Sequence, residues 1–474
     1  MTLPSVTRRS LLTILTAFPL VAGLALTAGC GDNSGGGEAG TTGGAPNTTA
    51  ASPASGGAPA AGGDKLVVAW AEWEPAKQLE KLAQDFTKET GIAVEVQQIP
   101  WSDFENKIKT AWSGQDASFD LIVGDSQWLG KAATAGHYVE LTEWTEDAAN
   151  FPKADVARSA LLNYGEYPTG SGKLYAIPCM SDATVFAYRK DLFEDPKEKA
   201  AFKAKYKRDL AVPKTWDEFQ QVAEFFTRPQ NQPGPLYGAA LFYSKEYDGV
   251  TMGFDQVLWA YGGKLSEGNK ATGAINSEAA VKALEFYAGL KKFTPPSSEN
   301  YYFSECLRDF QQGKVAMAQN WFAFLPDLTN KEKNPHAEHT GYFPVPKGPA
   351  GQFISLGGQG LSLSAYSKQQ DNAKKFLAWF SKEETQKKWA ELGGLTANGK
   401  VAATDLFKKA TPYNVVFTES VPYLKDFYNT PNYSELLTVT QKELNEAVAG
   451  TKKPKEALDT IAAEHDKILA SAGN

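Results

Sequence analysis

The chain has 474 residues, 48 of them Lys or Arg and 55 Asp or Glu, for a net charge of −7 at pH 7. An acidic body of this kind argues against nucleic-acid binding. The spacing of Cys30, Cys179 and Cys306 rules out a zinc knuckle, and no stretch beyond the first 29 residues is long and apolar enough to span a bilayer.

Residues 1–29 carry Arg8-Arg9 and no acid, then an apolar run from Leu11 to Ala28 that ends in Leu26-Thr27-Ala28-Gly29-Cys30. A positive start, an apolar middle and small residues before a cysteine make an export signal. The segment resembles the bacterial lipobox, in which the chain is cut before the cysteine and the cysteine is acylated, so Cys30 is the expected lipid anchor. Thr7-Arg8-Arg9-Ser10-Leu11-Leu12 also resembles a twin-arginine address. A permanent transmembrane helix competes with this reading, but Pro19, Gly23 and the threonines make a weak span. Residues 31–63 hold two charges, Asp32 and Glu38, and no apolar side chain larger than Ala. Nothing there offsets the entropy of ordering, so a disordered tether is expected, roughly 30 Å long by coil scaling. The body then works outside the cytoplasmic membrane, held to it by lipid. With Cys30 acylated, Cys179 and Cys306 are left as a disulfide or as two buried thiols.

From Asp64 the composition becomes that of a folded body too long for one core, so two lobes are expected. Lys65–Trp70 reads as a buried strand. Leu79, Leu82, Ala83 and Phe86 recur at helical spacing over 76–90, and Gly91 fits the position after a helix end. Strands follow at 92–96 and 119–123, with a helix over 103–112 between them. This alternation signals an α/β lobe with a largely parallel sheet. Leu174–Pro178 and Ala183–Tyr188 read as two strands flanking a crossover. Thr215 and Glu218 form a capping box at a helix start. Helices are expected over 278–293, 304–313, 370–390 and 434–470.

Several segments in this order carry a family resemblance. Lys65-Leu-Val-Val-Ala-Trp70 leads to Asp85-Phe-Thr-Lys-Glu-Thr-Gly-Ile-Ala-Val-Glu-Val96. Phe119-Asp-Leu-Ile-Val-Gly-Asp-Ser-Gln-Trp-Leu-Gly130 precedes Gly136-His-Tyr-Val-Glu-Leu141. Gly172-Lys-Leu-Tyr-Ala-Ile-Pro178 runs toward Tyr188-Arg-Lys-Asp-Leu-Phe193. Phe310-Gln-Gln-Gly-Lys-Val-Ala-Met317 stands before Asn320-Trp321, and Leu356-Gly-Gly-Gln-Gly-Leu361 comes later. From Lys65 onward the chain resembles the extracellular solute-binding proteins of ATP-driven carbohydrate importers, typified by maltose-binding protein.

The resemblance implies an α/β fold of two lobes with an interlobe ligand cleft and several hinge crossings. Lobe one would hold 64–180 and 343–410, and lobe two 183–342 and 411–474. It implies capture of a sugar or oligosaccharide by hinge closure, membrane permease subunits as partners, a monomer, no catalysis, no cofactor and no metal. Another small polar solute, a polyol or phosphorylated polyol, is the alternative ligand. A secreted carbohydrate-active enzyme is the alternative class.

A sugar presents apolar C–H faces and a rim of hydroxyls, so rings cover the faces while carboxylates and amides meet the rim. The expected ligand residues are Trp73 and Glu74 after the first strand, and Asp125, Ser126 and Gln127 after the third, at the sheet edge where open α/β sheets bind ligands. The resemblance adds Asp182 and Trp321. Gly358 and Gln359 lie in a Gly-rich turn where backbone can approach a ligand. Tyr243, Tyr247 and Asp255 are further candidates in lobe two. Trp70, Trp216, Trp379 and Trp389 are assigned to the core. Gly170-Ser-Gly-Lys173 lacks P-loop spacing, and His336 and His339 sit in a loop too polar to suggest a metal site.

Overall fold

The computed structural model describes residues 65–229, 234, 237–427 and 429–471. The signal, the tether and Cys30 lie outside them. No helix among the described residues is long and apolar enough to cross a membrane.

Alternation of strand and helix begins as the sequence suggests. β1 (Lys65–Ala71) leads to α1 (Glu74–Thr90), β2 (Ala93–Ile99), α2 (Trp101–Ser113), β3 (Leu121–Asp125) and α3 (Ser126–Thr134). The helical stripe of α1 buries Leu79, Leu82, Ala83 and Phe86. Phe86 packs edge-on to Phe376, with ring centroids 5.1 Å apart; burying such a ring is worth about 1.5–3 kcal/mol. Gly91 stops the helix in the left-handed region at φ 77°, its N–H reaching Thr87 O.

β4 (Ile177–Arg189) is a single strand of 13 residues. The two short strands expected at 174–178 and 183–188 are therefore one, because the chain stays extended through a bulge at Cys179 and Met180–Asp182 pair with Gln359–Gly357. Its first part, up to Ala183, pairs antiparallel with β8 (Ile354–Leu363). Its second part, from Thr184, pairs antiparallel with β6 (Val315–Trp321), and from Phe186 with β7 (Thr340–Phe343). β5 (Tyr237–Ala240) lies parallel to β6, and β9 (Leu424–Lys425) parallel to the start of β8. The order is β2-β1-β3-β8-β4-β6-β5. β1 to β3 are parallel and β8 runs against β3, so the sheet is mixed rather than largely parallel.

Other boundaries shift for local reasons. The helix expected over 370–390 is two, Gln370–Ser381 and Glu383–Glu391, broken at extended Lys382. The one expected over 434–470 is also two, Tyr433–Ala449 and Pro454–Ser471, separated at left-handed Gly450. Thr215 caps its helix by accepting from Glu218 N–H, but Glu218 Oε2 accepts from Lys214 N–H, one residue before the cap. Trp70, Trp216, Trp379 and Trp389 are all buried, as assigned. Cys179 and Cys306 are free thiols, both buried.

Candidate functional site

Eight of the nine proposed ligand residues come together around one cavity of about 500 Å3. Trp73, Asp125, Ser126, Gln127, Asp182, Trp321, Gly358 and Gln359 line it, and Glu74 does not. Glu74 opens α1, half exposed, 3.8 Å from Lys77; the first turn of the helix carries it away from the loop that presents Trp73. Of the further candidates, Tyr247 lines the cavity. Tyr243 is core, its hydroxyl donating to Tyr287 O at 3.0 Å. Asp255 is buried beside Tyr433 and His465 in a separate, much smaller space.

Asp125 ends β3 and caps α3, with Oδ1 accepting Gln127 N–H at 3.1 Å. Its Oδ2 accepts from the Tyr247 hydroxyl at 3.1 Å. Tyr247 holds a left-handed backbone, φ 50°, which a residue with a Cβ adopts only at some cost, and its ring lies 5.7 Å from Trp101. Gln127 Nε2 donates across the cavity to Asp248 Oδ2 at 2.7 Å. Asp248 Oδ1 accepts from Tyr302, whose hydroxyl accepts from Trp321 Nε1 at 3.0 Å. One hydrogen-bonded chain thus runs from Tyr247 through Asp125, Gln127, Asp248 and Tyr302 to Trp321.

Burial raises the Asp125 carboxyl to about 6 against the hydrogen bonds it accepts. Burial, with the Asp125 charge behind it, raises Asp248 to about 7. Asp182 is pushed well above the usual range by burial, although the N–H groups of Ala183 and Ala323 support its charge. The lining contains no Lys, Arg or His.

Rings make up most of the rest. Trp73 stands edge-on to Trp101 at 5.1 Å and tilted against Phe324 at 5.6 Å. Phe303 stacks on Phe324 at 4.2 Å. Among the lining residues, Trp73 Nε1, Trp101 Nε1 and Ser126 Oγ are buried with no hydrogen-bond partner. Gly358 lies within β8, not in a turn. A Cβ there would meet the Tyr164 ring at 2.2 Å, and one at Gly357 would meet the Trp321 ring at 2.7 Å. These glycines make room for rings that pack on the strand. Gln359 accepts from Trp70 Nε1 and supports Asp125.

Sequence reasoning missed Trp101, Asp248, Tyr302, Phe303 and Phe324 as lining residues. Trp101 had a signal: it follows β2 as Trp73 follows β1, at the same edge of the sheet. The others sit on segments brought in by long-range topology.

Residues 70–387 match the family described as bacterial extracellular solute-binding protein. The chain belongs to that family. Among curated relatives, the mannitol-binding protein of Pseudomonas aeruginosa is 26% identical over 70% of this chain and 77% of its own. The diacetylchitobiose-binding protein DasA of Streptomyces coelicolor is 25% identical over 82% of this chain and 86% of its own. A solute-binding protein of an ABC transporter from Agrobacterium radiobacter, solved with ribitol, superposes with a TM-score of 0.73 at 26% identity, covering 85% of this chain and 98% of that one. The fold is accordingly the two-lobe α/β fold of periplasmic solute-binding proteins, and membership places the working site outside the cytoplasm.

Proposed function

We propose that this protein captures a sugar, oligosaccharide or polyol outside the cytoplasmic membrane and delivers it to the permease subunits of an ABC importer. The observation that carries the reading is the cavity itself. It offers aromatic faces for C–H surfaces and buried carboxylates for hydroxyl donors. It also offers Trp73 N–H and Ser126 O–H, unpartnered, for hydroxyl oxygens. Relatives that bind mannitol and diacetylchitobiose support both a linear polyol and a short oligosaccharide as ligand.

No bond is broken in this scheme. The pair Glu72 and Glu74, conceivable as glycosidase carboxylates, is absent from the lining, and hydrolysis is tested by the appearance of new reducing ends. The lobes are taken as 64–180 with 343–410, and 183–342 with 411–474. The bonds Gln127–Asp248 and Asp125–Tyr247 then cross between them, so ligand binding and lobe closure favour one another. Cys30 is the lipid anchor, residues 31–63 the tether, and the protein acts as a monomer. A thermal-shift screen over sugars and polyols tests the central claim: a ligand at 100 times its Kd adds about 2.7 kcal/mol of stability. A panel in which no sugar or polyol stabilises the protein overturns it.

A further inference from the structure

Five carboxylates line the cavity, from Glu105, Asp125, Asp182, Glu246 and Asp248, and no cationic side chain does. Glu105 is matched by Lys109 at 2.5 Å, but Lys109 is not part of the lining. Asp125, Asp182 and Asp248 meet only neutral donors: backbone N–H groups, an amide and two phenols. No cation in the lining matches these three acids, and burial accordingly holds each above the ordinary carboxylate range. Carboxylates alone do not make a site. Here they share a cavity with Ser126 and Trp73, residues 4% and 8% exposed whose Oγ and Nε1 have no hydrogen-bond partner. A ligand oxygen that reaches either group gives it the acceptor it lacks. The faces of Trp73, Trp101 and Trp321 are electron-rich surfaces that attract a cation and do not attract an anion.

We infer that the site selects by charge: its ligand is polyhydroxylated, carries no anionic group, and is bound more tightly when it bears a protonated amine. Hydroxyl oxygens serve the indole and serine donors, and an ammonium placed against Asp125 and Asp248 supplies the charge that the lining lacks. A phosphate or carboxylate brought into the same space meets acids on several sides, charged or holding a proton, and no Arg or Lys to receive it. This rests on the carbohydrate reading above and removes phosphorylated polyols from its scope.

The test uses the purified protein and matched ligand sets on two scaffolds, measured by titration calorimetry at constant ionic strength. The first set is D-glucose, D-glucosamine, D-glucuronate and glucose 6-phosphate. The second is D-mannitol, 1-amino-1-deoxy-D-mannitol and mannitol 1-phosphate. On any scaffold whose neutral parent binds, the amine is expected to bind about tenfold or more tightly than the parent. The anion is expected to bind about a hundredfold or more weakly. Asp248→Asn should shrink the ratio of amine to parent affinity, whatever it does to the affinity of the parent itself, and a ratio that the substitution leaves unchanged counts against the inference. An anion that binds within about tenfold of its parent overturns the inference, as does an amine no tighter than its parent. Binding of the parents with the wrong charge order leaves the carbohydrate reading standing and sinks only this one. If no member of either set binds, thermal shift against neutral and amino disaccharides applies the same comparison, and failure there overturns both.

Discussion

Replacing Asp248 by Asn should change the stability of the unliganded protein with opposite sign at low and high pH. In the folded protein the carboxyl is pushed to about 7, first by burial and then by the Asp125 charge, from an ordinary value of 3.8. Between those values the folded state holds a proton that the unfolded chain has released. Stability from this group is therefore fully present only below about pH 3.8 and is lost progressively until about pH 7. The loss is at most about 4 kcal/mol. Asn carries no charge, so the variant does not suffer it. What Asn gives up is one acceptor: Asp248 receives both Tyr302 O–H and Gln127 N–H, and a single amide oxygen cannot serve both as before. That costs about 1–3 kcal/mol at every pH. With an unfolding entropy of about 2.1 cal/mol/K per residue over about 400 residues, each kcal/mol moves Tm by about 1 °C. The variant should melt about 0–2 °C below the parent near pH 4.5, where the parent has already lost about 1 kcal/mol. By about pH 8 it should melt level with the parent or as much as about 3 °C above it. Calorimetric scans of the ligand-free protein across that range decide the matter. Two melting curves that stay parallel with pH would refute the claim that Asp248 is buried beside an uncompensated Asp125.

Ser126→Ala removes a hydroxyl with no partner in the unliganded protein; its melting temperature should hold or rise slightly, while sugar or polyol affinity falls by about 0.5–1.5 kcal/mol in a binding titration. Gly357→Ala sets a methyl 2.7 Å from the Trp321 ring, so the ring must swing; fluorescence of the empty protein should change, and affinity should fall by about 1–3 kcal/mol as the ring leaves its place. The thiols of Cys179 and Cys306 are buried and pushed up by that burial; a thiol reagent should label neither in the native protein and both in denaturant, and reductant should leave Tm unchanged.

The residues that faced the site at strand ends were legible in the sequence because the rule behind them is local. Trp73 and Asp125–Gln127 follow β1 and β3, and a parallel strand leading into a helix delivers its next residues to the cleft edge. The same rule overreached at Glu74, which is half exposed beside Lys77 and absent from the lining although it opens α1 as Ser126 opens α3. Gly358 was legible as a close-approach position, but the close neighbour is Tyr164, a contact between residues far apart in sequence. Asp248 and Tyr302 had no local signal. Asp248 precedes an apolar helix and reads as a cap, yet its side chain caps nothing and turns to Gln127 and Tyr302 instead. Periodicity reports which face of an element is buried, not which other element covers it. The merged β4 was missed for a related reason: Pro178 and Asp182 look like strand breakers, and pairing with distant β8 keeps the chain extended through them until β6 takes over at Thr184.

That unbroken strand constrains how the cleft can work. β4 passes from β8 to β6 between Ala183 and Thr184, so any rotation of one half against the other is taken up by twisting a paired strand. Opening a loop is not available at this crossing. Asp182 sits one residue before the change of partner and accepts from Ala323 N–H at 3.2 Å, in the turn just after Trp321. Trp321 in turn pairs with Thr184 and lies over Gly357, the residue opposite Asp182 on β8. The crossing point, its carboxylate and the cavity's tryptophan are therefore one packed unit. A twist at 182–184 cannot leave the ring where it was. A ligand that fixes the ring resists that twist, and the affinity of the site and the closure of the cleft are the same free energy measured at two places.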